Sequence, residues 1–308
     1  MSDVLPPSTP TPAGASHPGG RPPVDPPAGA VIDAVARALA EDLLPLGDLT
    51  AGLVDARVEA EVAVVSRATG VVAGRACAVE TFHQVDPALQ VAWHLGDGAA
   101  VTPGAVVAEL RGPLRSILTA ERTALNFVCH LSGVATATRR FVDVVTAANP
   151  ATRVLDTRKT LPGLRALQKA AVRAGGGWNH RGSLSDAVLV KDNHLGGVGI
   201  AEAVARARRW WPGRMVEVEC DRPEQAAAAV EAGAGMVLLD NMTPDEVESC
   251  VGLVRSLPGG SQVLVEVSGG VTLATAGAYA AAGADLVSVG ALTHSSPTLD
   301  LGFDLREA

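Results

Sequence analysis

The spacing of apolar positions changes character along the chain and divides it. Residues 1–27 have no apolar periodicity and contain nine prolines together with Gly, Ser and Thr. A stretch of that kind packs no core and is expected to be a disordered tail. From Val31 to Leu44 the pattern is helical, with Ile32, Val35, Leu39 and Leu43 on one face. Gly47-Asp48-Leu49-Thr50 ends it. Alternating and β-branched residues from Val58 to Gly74 predict a strand, followed by a short helix near Val79 to Val85. Strands joined by Gly-rich turns are expected over Leu89 to Arg111. Arg115 to Cys129 and Thr136 to Ala147 read as two helices parted near Ser132-Gly133. These elements predict an α+β domain over residues 28–130.

From residue 153 short continuous apolar runs alternate with helical segments. The runs are Arg153 to Thr157, Ala187 to Val190, Met215 to Glu219, Met236 to Asp240, Val263 to Val267 and Leu286 to Val289. Between them lie helical segments such as Ala201 to Trp211, Pro223 to Ala232, Pro244 to Leu257 and Leu273 to Ala282. Several start at Thr or Asp before Pro or Glu and stop at Gly, as capped helices do. Strand–helix alternation with apolar strands means a parallel sheet covered on its faces. Six units are fewer than a full (β/α)₈ barrel has. A doubly wound sheet is the alternative, but no Gly-x-Gly-x-x-Gly follows the first strand. The matching stretches Glu231-Ala232-Gly233-Ala234-Gly235 and Ala281-Ala282-Gly283-Ala284-Asp285 favour barrel units. The fold class is therefore α/β, with an incomplete barrel over 131–292 and a C-terminal segment over 293–308.

Composition narrows the function. A formal net charge of −8 and 3% aromatic residues argue against non-specific nucleic-acid binding. No apolar run reaches ~18 residues, so no membrane-spanning helix is expected, nor does the start resemble a signal peptide. The four cysteines are far apart, with no Cys-x-x-Cys, which fits a reduced, cytoplasmic protein without a disulfide framework. Of 25 basic residues only Lys159, Lys169 and Lys191 are lysine, all within one 33-residue stretch. Lys and Arg are not interchangeable in a tight site, so the surviving lysines point to that stretch.

Barrel chemistry gathers where strands end. Those ends here read Asp156-Thr157-Arg158-Lys159-Thr160, Lys191-Asp192-Asn193-His194, Glu219, Asp240-Asn241, Ser268-Gly269-Gly270 and Gly290. The cations Arg158, Lys159, His180, Arg181 and Lys191 sit in turns or at strand ends, and form an anion site. Arg165, Lys169 and Arg173 repeat at i, i+4, i+8 opposite Leu164, Leu167 and Ala171, which reads as a solvated helix face. Glu219 and Asp240 each end an otherwise apolar strand. They suit Mg²⁺ or ribose hydroxyls, although Asp240 before Asn241 also reads as a helix cap. A zinc pair of His180 and His194 lacks further ligands. Ser268-Gly269-Gly270 before Thr272, and the turn Gly290 to His294, suit phosphate groups.

Together these stretches resemble quinolinate phosphoribosyltransferase. Gly47-Asp48-Leu49-Thr50, Glu121-Arg122-Thr123-Ala124-Leu125-Asn126, Leu131-Ser132-Gly133-Val134-Ala135-Thr136, Asp156-Thr157-Arg158-Lys159-Thr160, Gly175-Gly176-Gly177-Trp178-Asn179-His180-Arg181, Lys191-Asp192-Asn193-His194, Val216-Glu217-Val218-Glu219, Leu239-Asp240-Asn241-Met242 and Ser268-Gly269-Gly270 carry the likeness, from about Val31 to Leu301. The resemblance implies conversion of quinolinate and phosphoribosyl pyrophosphate to nicotinate mononucleotide, pyrophosphate and CO₂ in NAD biosynthesis. It implies Mg²⁺, an open-faced N-terminal sandwich and a barrel of about seven strands. It also implies a homodimer whose sites each borrow Arg122 from the partner. By resemblance, Arg122, Arg158, His180, Arg181 and Lys191 hold quinolinate. Lys159, Glu219 and Asp240 face phosphoribosyl pyrophosphate, whose 5-phosphate meets Ser268, Gly269, Gly270, Gly290 and His294. Three other readings stand beside it: an aldolase or isomerase with Lys191 as a Schiff base, a transferase of the same fold acting on another base, and a non-catalytic pyridine-carboxylate sensor.

Overall fold

The computed structural model describes residues 25–306. The expected disordered tail lies, up to residue 24, outside them. Helix α1 (Ala28–Leu43) buries Val31, Ala34, Val35 and Leu39. Its buried face is rotated from the expected one, leaving Ile32 48% exposed. The first domain continues with β1 (Glu59–Ser66), β2 (Gly70–Val71), α2 (Arg75–Val85), β3 (Gln90–Trp93), β4 (Ala100–Val101) and β5 (Val106–Pro113). Val62, Val64, Ala108 and Leu110 point to one face of the sheet. There they pack with Ala78 and Phe82 of α2 and with Ile117, Ala120 and Ala124. The alternate positions Glu61, Glu109 and Arg111 carry ion pairs instead, such as Glu61–Arg111 at 2.6 Å. Alternation along each strand thus produces a sandwich with one covered and one charged face.

Helix α3 (Leu114–Ala148) is one continuous helix of 35 residues, not two. Ser132-Gly133, read as a break, is a packing point. Ser132 Oγ accepts from Ala73 N at 2.9 Å and donates to Ala73 O at 3.1 Å. Gly133 lies under the Pro297–Thr298 backbone, where a Cβ would sit 2.9 Å from Thr298 Cα. Two chain segments press onto the helix here, and small residues let them approach.

The barrel follows as β6 (Arg153–Leu155), α4 (Arg165–Ala174), β7 (Val188–Val190), α5 (Asp192–Leu195), α6 (Ile200–Trp210), β8 (Val216–Cys220), α7 (Pro223–Glu231), β9 (Met236–Asp240), α8 (Pro244–Ser256), β10 (Leu264–Ser268), α9 (Leu273–Ala281), β11 (Leu286–Ser288) and α10 (Ala291–His294). The six strands run parallel in the order β6-β11-β10-β9-β8-β7. Trp178 adds a parallel bridge to Leu155 and stands in the seventh position. Val216, Val218, Val237, Leu239, Val265 and Val267 belong to the large apolar core. The alternate positions Glu217, Glu219, Asp240, Glu266 and Ser268 therefore line the opposite, lumen side. Strand β12 (Leu301–Leu305) returns to the first domain and pairs antiparallel with β1, giving the sheet order β12-β1-β5-β3.

Candidate active site

Parallel strands bring their C-terminal ends to one rim. Lys191, after β7, is ion-paired with Glu219 of β8. Next to Glu219, Asp240 ends β9, and its carboxyl is raised by burial and by the Glu219 charge, against the pull of Lys191 and Lys159. Four charges of both signs, two lysines and two carboxylates, thus converge. Asn241 follows with φ 58°. Its N–H bonds Ser268 O at 3.0 Å, and its side chain bonds Asp240 Oδ2 at 2.7 Å. Gly269, at φ 92°, has Asn241 N 2.8 Å from where a Cβ would lie, so only glycine fits beside that turn.

Lys159 lies on the loop after β6. A Cβ on Gly290 would sit 3.2 Å from both Lys159 Cδ and His294 Nε2, so these three residues meet. The contact is fixed from below. Thr293 Oγ1 donates to Lys159 O at 2.7 Å. The fully buried Gln168 accepts from Leu161 N at 3.0 Å, donates to Thr293 O at 2.6 Å and reaches His130 Nε2 at 2.9 Å.

Arg158, His180 and Arg181 form the other half. Burial lowers the Arg181 pKa and the nearby Arg158 charge adds to this, while Glu217 opposes it. Two guanidinium groups held together call for an anion. The buried Nε of Arg158 also lacks a partner among the described residues. His180 turns inward, with Nε2 at 3.1 Å from Glu217 Oε2 and 3.4 Å from Glu266 Oε2. Burial works against a charged ring, but the two carboxylates outweigh it and push its pKa up to about 10.

The solvated face assigned to Arg165, Lys169 and Arg173 is not found. Lys169 is 6% exposed and ion-paired with the fully buried Asp156; its ammonium also bonds His180 O at 2.8 Å. Arg165 and Arg173 are half-buried and hydrogen-bonded to Thr160 and Asn179. Helix α4 is enclosed on both sides, by α3 and by the segment around His180. Two cavities open beside Arg181. One, of about 850 Å³, lies against α6 and is lined by Trp210, Trp211, Arg206 and His194. The other, of about 830 Å³, is lined by strand starts Arg153, Met236 and Leu286 and ends at His180 and Glu217. Neither of these two is lined by Lys159, Glu219 or Asp240.

The family models of the quinolinate phosphoribosyl transferase N-terminal and C-terminal domains match residues 48–132 and 134–304. The chain belongs to the quinolinate phosphoribosyltransferase family. It is 42% identical over 280 residues to the nicotinate-nucleotide pyrophosphorylase (carboxylating) of Mycobacterium leprae, covering 90% of this chain and 97% of the relative. The enzyme of that name from Homo sapiens is 37% identical, over 83% of this chain and 85% of its own. The solved nicotinate-nucleotide pyrophosphorylase of Francisella tularensis superposes with a TM-score of 0.85 at 38% identity, covering 92% of this chain and 98% of that one. As a quinolinate phosphoribosyltransferase the chain is a transferase of NAD biosynthesis. It forms nicotinate mononucleotide from quinolinate and phosphoribosyl pyrophosphate with loss of CO₂.

The sequence assigns no role to Glu217, Glu266 or Gln168, and places Asp156 at a strand end without its buried partner Lys169. Strand β8 is not otherwise apolar: Glu217 and Glu219 share its lumen face, and Glu266 lies below Ser268 in the same way. That period of two in a strand buried on both sides was the available signal. Gln168 carries no such signal, because two of its partners, His130 and Thr293, are distant in sequence.

Proposed function

We propose that the rim divides the substrates of this reaction into two halves. Arg158, His180, Arg181 and Lys191 take the two carboxylates of quinolinate. Lys159, Glu219 and Asp240 face the diphosphate and ribose of phosphoribosyl pyrophosphate, and Ser268, Gly269, Gly270, Gly290 and His294 hold its 5-phosphate. The meeting of Lys159, Lys191, Glu219 and Asp240 at one rim, beside the Gly290–His294 turn, carries this reading. The paired guanidinium groups of Arg158 and Arg181 support the dicarboxylate half.

The chemistry follows from charge. The pyridine nitrogen attacks the anomeric carbon as the C–O bond to the diphosphate breaks. The sugar passes through an oxocarbenium-like state, which carboxylates stabilise. Lys159 offsets charge on the leaving diphosphate. The new bond makes the ring nitrogen cationic, and that charge stabilises the electron pair left on the neighbouring ring carbon when its carboxylate departs as CO₂. The carbon then takes up a proton. The cations that hold the remaining carboxylate keep the ring in place meanwhile.

Glu219 and Asp240 are hard oxygen donors on neighbouring strand ends and fit Mg²⁺. Lys191 occupies one oxygen of Glu219, so the ion would be held in large part by the substrate. When bound it would neutralise diphosphate charge. We further propose a homodimer in which Arg122 of one protomer completes the quinolinate half of the other. Arg122 is exposed on α3 and makes no hydrogen bond or ion pair among the described residues. Among those residues no helix is long and apolar enough to cross a membrane; with the free cysteines this supports a cytoplasmic enzyme. The test is formation of CO₂ and nicotinate mononucleotide from quinolinate, with nicotinate as control substrate. Turnover of nicotinate in place of quinolinate, or a borohydride-trapped adduct on Lys191, would overturn the reading.

A further inference from the structure

Below the rim, the barrel lumen holds a charged group that the reaction above does not use. Glu217 and Glu266 are each 1% exposed. Burying two carboxylates in a strand layer is expensive unless they are paired, and Leu238 and Met236 beside them show that apolar side chains fit that layer. What the two share is His180 Nε2, at 3.1 and 3.4 Å.

The rest of His180 is held as firmly. Its Nδ1 accepts from Arg181 N at 2.8 Å. Its own N–H bonds Asp156 Oδ1 at 2.9 Å, and its carbonyl takes the Lys169 ammonium at 2.8 Å. The ring therefore connects the lumen carboxylates to the main chain of Arg181. Glu217 also lies close enough to Arg181 to oppose the repulsion from Arg158.

Geometrically His180, Glu217 and Glu266 would also admit a metal ion, since their ligand atoms lie within 4.8 Å of one another. The Nδ1 contact argues otherwise. A ring whose Nδ1 accepts a backbone N–H is neutral and carries its hydrogen on Nε2; the imidazolium that the two carboxylates favour also carries one there, but gives up the Nδ1 contact because its Nδ1–H can only donate. In either state Nε2 is a donor aimed between two carboxylates, not a free ligand atom.

We infer that Glu217 and Glu266 are positioning residues, which anchor His180 and through it Arg181 so that both meet the dicarboxylate of quinolinate. This rests on the assignment of His180 and Arg181 to quinolinate made above. The test is steady-state kinetics of Glu217→Gln and Glu266→Gln in the full-length chain, with each substrate varied in turn. Gln keeps the shape and one acceptor oxygen but removes the charge. The KM for quinolinate should rise at least about tenfold, the KM for phosphoribosyl pyrophosphate should stay within about twofold, and kcat should change less than the quinolinate KM. Equal increases in both KM values, or no increase in either variant, would overturn the inference. So would a stoichiometric metal in the purified protein that both variants lose. Glu217→Asp, which keeps the charge but shortens the reach, should show the same selective rise if the Gln variants do not fold; an unselective effect there overturns it equally. His180→Ala is measured alongside. If it leaves the quinolinate KM unchanged, the assignment of His180 has failed and the positioning role falls with it. If it raises that KM while the Gln variants do not, the positioning role alone is lost.

Discussion

Lys169 illustrates what a single side chain can hide. Its spacing from Arg165 and Arg173 follows a helix face, and helix faces of that composition are usually wet. Yet the ammonium is buried against Asp156, which also accepts from Asn179 Nδ2 at 2.6 Å and His180 N at 2.9 Å. Burial alone would move both partners toward neutrality, lowering Lys169 and raising Asp156, and their mutual attraction opposes it. The periodicity of α4 was legible; that α3 and the His180 segment enclose it from two sides was not, because neither contact is local. Lys169→Met should leave the Asp156 carboxylate buried and unpaired, costing about 3–5 kcal/mol of stability in a denaturant titration. Adding Asp156→Asn should recover part of that loss. A Lys169→Met protein as stable as the parent would mean that Asp156 is neutral in the folded state.

At the level of elements, strands β6 to β11 stand within about two residues of where the apolar runs place them, because a parallel strand buried on both faces writes itself into the sequence as a continuous run. Helix α3 was less legible. Ser132-Gly133 has the composition of a break, but its smallness serves contacts with Ala73 and with the Pro297–Thr298 backbone, both far away in the chain. The loop carrying Lys159 and the turn carrying His294 are joined in the same non-local way, through Gln168. Gln168→Leu would strand Leu161 N–H and the Thr293 carbonyl, each at about 1–3 kcal/mol if left buried without a partner. The melting temperature should fall, and the KM for phosphoribosyl pyrophosphate should rise severalfold while that for quinolinate changes less. A lower melting temperature with an unchanged phosphoribosyl pyrophosphate KM would reduce Gln168 to a fold residue.

At the scale of the whole molecule, α3 runs from the open-faced sandwich into the barrel, and β12 ties the C-terminus back to β1. The two parts are therefore rigidly joined, and Arg122 is fixed on the α3 segment that packs with the first domain. A homodimer with an isologous interface would give each barrel the partner's α3, and each site one arginine from across the axis. The consequence is a complementation with a defined yield. Arg122→Ala and Lys159→Ala should each be inactive alone. In a hybrid dimer, the barrel of the Arg122→Ala subunit is intact and receives a good arginine from its Lys159→Ala partner. The other site carries both defects. With random exchange about half the dimers are hybrids with one working site of two, so activity should return to about a quarter of the parent level. Mixing the purified variants, confirming exchange by mass spectrometry of differently tagged subunits, and assaying CO₂ release measures it. Confirmed exchange with no recovered activity would place Arg122 in its own subunit's site, or outside the chemistry altogether.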